Sequence, residues 1–141
     1  MRRTITTTLT VLVLALPTAQ LATAAAKPPK KKVIVAIQKF TGPAAQADRW
    51  GDLVVTIAVR KTTTISGTKK TVSRRMIAIY IPTYPDHTDR SVYINQTALP
   101  ILKSEALYAQ SASINIVSGA TYTSDAFAQS LQAAILIAKS A

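Results

Sequence analysis

The stretch LVVTIAVRKTTTISGTKKTVSRRMIAIYIP, Leu53 to Pro82, decides how this chain folds. Its first part puts Leu53, Val55, Ile57 and Val59 on one side of an extended backbone, and RRMIAIYIP repeats the pattern with Ile77, Ile79 and Ile81. A period of two is the spacing of side chains along one face of a strand. Between the runs lies KTTTISGTKKTVS, where threonine suits extended flanks and Ser66-Gly67 suits a tight turn. The stretch predicts a long antiparallel hairpin with its tip at Ser66-Gly67. Arg60, Lys61, Lys69, Lys70, Arg74 and Arg75 decorate it. Such charges keep an exposed ribbon from pairing edge to edge, and they also offer a docking surface to an acidic partner or a membrane.

Toward the N-terminus, TGPAAQADRWGD reads as a loop punctuated by Gly and Pro, and VIVAIQKF, starting at Val33, as a first strand. KPPKKK, Lys27 to Lys32, has the composition of a stiff basic linker that could rest on anionic lipid headgroups. Residues 1–26 open with Arg2 and Arg3, continue through the apolar run TVLVLAL and end in small residues, with a cleavage site such as Ala22-Thr23-Ala24. That is the layout of a secretory signal, with a mature N-terminus shortly after Ala24 or Ala26. Thr4 to Ala26 would also serve as an uncleaved anchor, which needs ~20 mostly apolar residues. On either reading the body of the protein lies outside the cytoplasm, in the cell envelope or beyond it.

Toward the C-terminus, TALPILKSEALYAQ places Leu99, Leu102, Ala106 and Ala109 at helical spacing. Pro100 has no N–H to give, so the helix is expected to start near Gln96 or Thr97. ASINIV reads as a short strand. In the final segment Phe127, Leu131, Ala134, Ile135 and Ala138 make an apolar stripe opposite Asp125, Gln129, Gln132 and Lys139, with Leu136 outside the pattern. Strands, helix, short strand, helix is the order of an α+β domain over residues 33–141. A small antiparallel sheet with a long hairpin would carry two helices packed on one face, Phe127, Leu131 and Ile135 against Ile77, Ile79 and Ile81.

Composition narrows the chemistry. The chain has 141 residues, a net charge of +11 and no cysteine, which excludes disulfides, thiolate metal sites and a cysteine nucleophile. The one histidine, His87, sits in the loop PTYPDHTD, and a single imidazole makes no metal cluster. Basic excess alone would admit nucleic acid as a partner, but not in an exported protein. No acid–base pair or activated nucleophile stands out, so a carrier is expected rather than an enzyme with its own substrate.

SGATYTS, Ser118 to Ser124, joins ASINIV to the last helix. Ser118, Thr121, Thr123 and Ser124 carry hydroxyls, and Gly119 permits close backbone approach. A helix N-terminus adds unpaired N–H groups and about half a positive charge, which together suit a phosphate. The same residues also suit ordinary helix capping. Neither a Walker loop nor a dinucleotide-binding fingerprint is present, because no Gly-Lys-Ser/Thr follows and only one glycine occurs.

IVSGATYTSDAFAQSLQAAILIA resembles the end of the FMN-binding domain family, which includes the flavin-carrying subunits of sodium-pumping quinone reductase and of the Rnf electron-transport complex. DRWGDLVVTIAV resembles that family's aromatic-glycine-strand opening. SVYINQTALPILKSEALYAQSASINIVSGATYTS is similar to its small exported members, so the likeness runs from about Ala47 to Ala138. The resemblance implies FMN as cofactor, its phosphate at Ser118, Gly119, Ala120 and Thr121. In the family a flavin transferase esterifies FMN to the last residue of an Asp-x-x-Ser/Thr-Gly-Ala-Thr pattern, which here is Thr121. The pattern's aspartate is replaced by Asn115, which keeps the size and loses the charge, so covalent and noncovalent FMN both stay open. Trp50, Tyr84 and Tyr122 are candidates for the wall of the flavin ring, and Ser91 and Asn95 match polar positions of the exported members, where capping explains them equally.

The expected function is extracytoplasmic electron transfer with a membrane-bound reductase or other electron-transport component as partner. Two alternatives are a flavin-free envelope module that binds acidic polymer or lipid through its basic linker and hairpin, and a small flavin-dependent reductase.

Overall fold

The structure, a computed structural model, describes residues 30–141. The signal or anchor read at residues 1–26, and linker residues 27–29, lie outside the described residues. The long hairpin is present as β3 (Asp52–Ser66) and β4 (Lys69–Thr83), joined by Gly67 and Thr68. These strands are preceded by β1 (Lys31–Thr41), which starts two residues before Val33, and by the two-residue β2 (Ala45–Gln46). All pairings are antiparallel, with β3 in the middle: β1 and then β2 lie along one edge and β4 along the other. The helices α1 (Asp89–Ala109) and α2 (Thr121–Ser140) complete an α+β domain.

Leu53, Val55, Ile57 and Val59 are buried along β3, as their spacing predicts. On β4 the pattern breaks. Val59 pairs with Met76 and Ala58 with Ala78, so Ile77 is an extra residue in a bulge. A bulge changes which residues face inward. Met76 and Ile79 are therefore the buried residues, Ile81 packs at the margin of the core, and Ile77 is only half-buried.

Helix α2 lies on the central strand β3, with Phe127, Leu131 and Ala134 fully buried, rather than on the β4 isoleucines expected. Ile135 is half-buried, and Leu136 faces solvent. Ser130 fixes the helix to the sheet: its Oγ accepts from Val55 N–H at 2.9 Å and donates to the Pro43 carbonyl at 2.8 Å. At the same crossing Gly42 faces the Ser130 carbonyl so closely that a Cβ would collide with backbone. Replacing Gly42 by alanine should cost about 1–3 kcal/mol, the usual range for overpacking. An unchanged urea midpoint would show that the strand can move away from the helix.

Helix α1 begins at Asp89, well before the expected Gln96. Thr88 caps it, its Oγ1 accepting from Ser91 N–H at 3.1 Å. Pro100 lies inside the helix. Its missing donor frees the carbonyl of Gln96, but both residues are exposed and water can replace the bond. Leu99, Leu102 and Ala106 are buried, while Ala109 is exposed. Beyond the helix, Gln110 grips the edge strand: Met76 N–H donates to its Oε1 at 2.8 Å, and its Nε2 donates to Met76 O at 2.9 Å.

ASINIV is not a strand. Its polar groups turn toward α1, with Asn115 N–H and Nδ2 both donating to Glu105 Oε1, at 2.9 and 2.6 Å. Ile114 and Val117, three apart, pack on the core and Ile116 is exposed, which a period of two does not permit.

A cavity between two helix entrances

The first turns of α1 and α2 meet at the end of the sheet where β3 begins. Between them is a cavity of about 370 Å³, within the ~300–1,000 Å³ typical of small-molecule sites. Gly119, Ala120, Thr121, Tyr122 and Thr123 line it from the α2 side, and Arg90, Ser91, Ile94 and Asn95 from the α1 side. Arg49 and Trp50, on a short turn ahead of β3, and Pro85 close the remaining walls.

The turn ahead of α2 is held by Ala120 N–H donating to Val117 O at 2.9 Å. Gly119 adopts φ +81 there, with open space where a Cβ would stand, so glycine is needed for backbone conformation and not for room. Ser124 ties the turn to the helix: its Oγ donates to Ala120 O at 2.8 Å and accepts from Val117 N–H at 3.1 Å. Ser124 is buried outside the cavity, and Ser118 is exposed outside it.

The two helix entrances differ. Helix α1 has its Thr88 cap and Asp89 in its first turn. The N-cap position of α2 is Ala120, which makes no side-chain cap bond, and no acidic residue lies in the first turn. Capping by Ser118 or Thr121 is thus not what this segment does. Its positive end, with the exposed Thr121 beside it, faces the cavity without an anion of its own.

Asn95 braces the site. It is buried two turns into α1, where it cannot cap. Its Oδ1 accepts from Thr123 Oγ1 at 2.9 Å, and its Nδ2 donates to the Pro85 carbonyl at 2.6 Å. One side chain thereby aligns both helix entrances and the loop between β4 and α1. Asn95→Ala should cost about 1–3 kcal/mol, because Thr123 and Pro85 are left unpaired. Urea unfolding checks this, and the deficit should persist when FMN is saturating.

Trp50 and Tyr122 are partly exposed and face the cavity, whereas Tyr84 does not line it. The Arg49 guanidinium sits 5.0 Å from the Trp50 ring centroid, a cation–π distance. Arg49, Arg90, Ile94 and Pro85 were not singled out from the sequence. Arg49 adjoins the aromatic-glycine opening, which is the one signal that could have drawn attention to it. His87 is exposed beside Gly51, its Nδ1 3.8 Å from Asp86 Oδ1. Among the described residues, no three His, Cys, Asp or Glu gather to hold a metal ion.

Two arginines, two aromatic rings and an uncapped helix entrance around one cavity of an α+β domain suit an aromatic anion. The sequence model of the FMN-binding domain family matches residues 48–136, more than half of the chain, and the chain belongs to that family. FMN is accordingly its cofactor, which sets aside the flavin-free reading. The match begins after β1 and β2. No curated protein matches the chain.

The cavity fits such a group. Arg49, Arg90 and the α2 entrance suit a phosphate, and Trp50, Tyr122 and Ile94 suit a flat ring.

Proposed function

We propose that this protein is an extracytoplasmic electron carrier that binds FMN in the cavity between α1 and α2. The phosphate is assigned to Gly119–Thr121, the part of the turn that lines the cavity, and Thr121 is the residue a flavin transferase would esterify. The observation that carries this reading is the entrance of α2, which has neither cap nor acid of its own and opens on two arginines. Bound FMN supplies one- and two-electron redox chemistry. The chain contributes binding and orientation: the helix entrance and arginines offset the phosphate charge, Asn95 fixes the angle between the helices, and Trp50 and Tyr122 shield the ring.

The carboxylate missing from the attachment pattern has a neighbour that supports this assignment. Asn115 donates to Glu105, so a carboxylate still stands beside the pattern's first position. The proposed electron partner is a membrane-bound reductase or electron-transport component. The carrier reading expects rapid reduction by envelope membranes and little steady turnover with soluble donor and acceptor pairs.

The test of the phosphate assignment compares FMN with riboflavin, which has the ring and lacks the phosphate. FMN should bind at least about tenfold more tightly, as hydrogen bonds to a charged group contribute about 1.5–3 kcal/mol. Arg90→Gln should narrow that preference and leave riboflavin affinity nearly unchanged. Equal affinities for the two flavins in the original chain would remove the phosphate from this cavity.

A further inference from the structure

The far end of the sheet has no function in the reading above. Beyond Val59 and Met76 no residue of β1, β3 or β4 is buried. Lys61 still donates to the Ala141 carbonyl at 3.1 Å, and Arg74 and Arg75 border the end of α2. Past them the three strands continue as an arm. Paired residues run to its tip, Lys31 opposite Ser66 and Ser66 opposite Lys69. The segments Lys30–Lys39 and Arg60–Arg75 hold ten Lys and Arg and no Asp or Glu. All six acidic residues, Asp48, Asp52, Asp86, Asp89, Glu105 and Asp125, lie elsewhere in the chain.

The register sorts the arm into two faces. On the face away from the helices, Val33, Val35 and Ile37 stand in a row on β1, 56%, 56% and 59% exposed. Across the ribbon they meet Thr64, Thr62 and Arg60, and then Thr71, Ser73 and Arg75. Lys31 and Lys69 close the row at the tip. Further down the same face Tyr80 is 48% exposed beneath the Lys39 ammonium, 4.9 Å from its ring centroid. Edge lysines alone would be ordinary protection against aggregation. They do not account for three adjacent branched apolar side chains left in water.

We infer that this open face of the arm docks on an anionic lipid bilayer. Like charge opposes a second copy of the arm in the same place, and a partner must therefore be negative. A bilayer interface offers phosphate to Lys31, Arg60, Lys69 and Arg75 and an apolar layer just beneath it to Val33, Val35, Ile37 and Tyr80. The direction of the chain agrees. It enters β1 at the tip, so the sequence before Lys30, with its apolar run TVLVLAL, is joined to the arm and not to the flavin end. No described helix is long and apolar enough to cross a membrane. The inference does not depend on flavin binding, and β1 lies outside the region matched by the family.

The experiment is vesicle flotation of the full chain, at low and at high salt, on zwitterionic phosphatidylcholine and on vesicles with added phosphatidylglycerol. The anionic vesicles should capture at least tenfold more protein, and high salt should erase most of that gain. Each basic residue near a charged surface changes partitioning about fivefold, so Lys31→Gln, Lys69→Gln and Arg75→Gln together should weaken capture about 100-fold. Val35→Ser with Ile37→Ser should weaken it at least fivefold. Both variants should keep their FMN affinity, which shows that they are folded. Equal capture by the two vesicle types would overturn the inference, because an N-terminal apolar segment binds regardless of lipid charge. So would capture that polyglutamate abolishes and the serine variant leaves intact, which would point to an acidic macromolecule.

Discussion

Thr121→Ala should carry no acid-stable flavin after co-expression with a flavin transferase, while Thr121→Ser should retain some. The hydroxyl at position 121 is the only acceptor the pattern provides, and serine keeps the reacting oxygen. Thr121 is exposed at the first turn of α2, and the N-cap is Ala120, so neither change disturbs a cap or the core. Unfolding midpoints should stay within about 0.5 kcal/mol of the original. Titrated noncovalently, Thr121→Ala should lose about 1.5–3 kcal/mol of FMN affinity, or tenfold and more, through one missing hydrogen bond to a charged group. Acid precipitation and titration read the two effects separately. An alanine variant that kept both would place the phosphate elsewhere in the cavity, and the preference for FMN over riboflavin would then be the test of Arg49 and Arg90.

Phe127→Ala should be the most damaging substitution to the fold, at about 3–5 kcal/mol. The ring is fully buried in α2 against the central strand, in a helix whose face is already fixed by Ser130. A loss of that size is a large share of the ~5–15 kcal/mol that holds a domain of this kind together. Leu136→Ala is its internal control. Leu136 is 54% exposed, so its truncation should change stability by less than about 0.5 kcal/mol. Urea unfolding of the pair reads the rotation of α2 directly, and comparable losses would mean that the helix presents a different face to the sheet.

The hairpin and α2 were legible because their apolar residues repeat with the period of the element that buries them. Where a tertiary contact overrode a local rule, the reading failed. Ile77 left the pattern because a bulge inserts one residue, and nothing in RRMIAIYIP announces it. Helix α1 starts seven residues early because Thr88 caps it and solvent tolerates the Pro100 defect, whereas the proline rule assumes that the lost bond matters. ASINIV has strand composition, yet its polar groups bond to Glu105. In the site, Gly119 to Thr123 are contiguous and could be found as a motif. Arg49, Arg90 and Ile94 join them only because the two helix entrances and the turn ahead of β3 converge, which no local pattern records.

The convergence of those entrances bears on energy levels as well as on affinity. Two helix N-termini and two guanidinium groups border one cavity, with Asp89 in the first turn of α1 as the opposing charge. Any part of that positive field not taken up by the phosphate of a bound flavin would favour the reduced, anionic ring over the oxidised one. For a two-electron couple, each 1.4 kcal/mol of such preference raises the midpoint by about 30 mV. On the proposed reading, the balance between the phosphate and the two helix entrances would thus set the flavin's potential, before any side chain touches the ring.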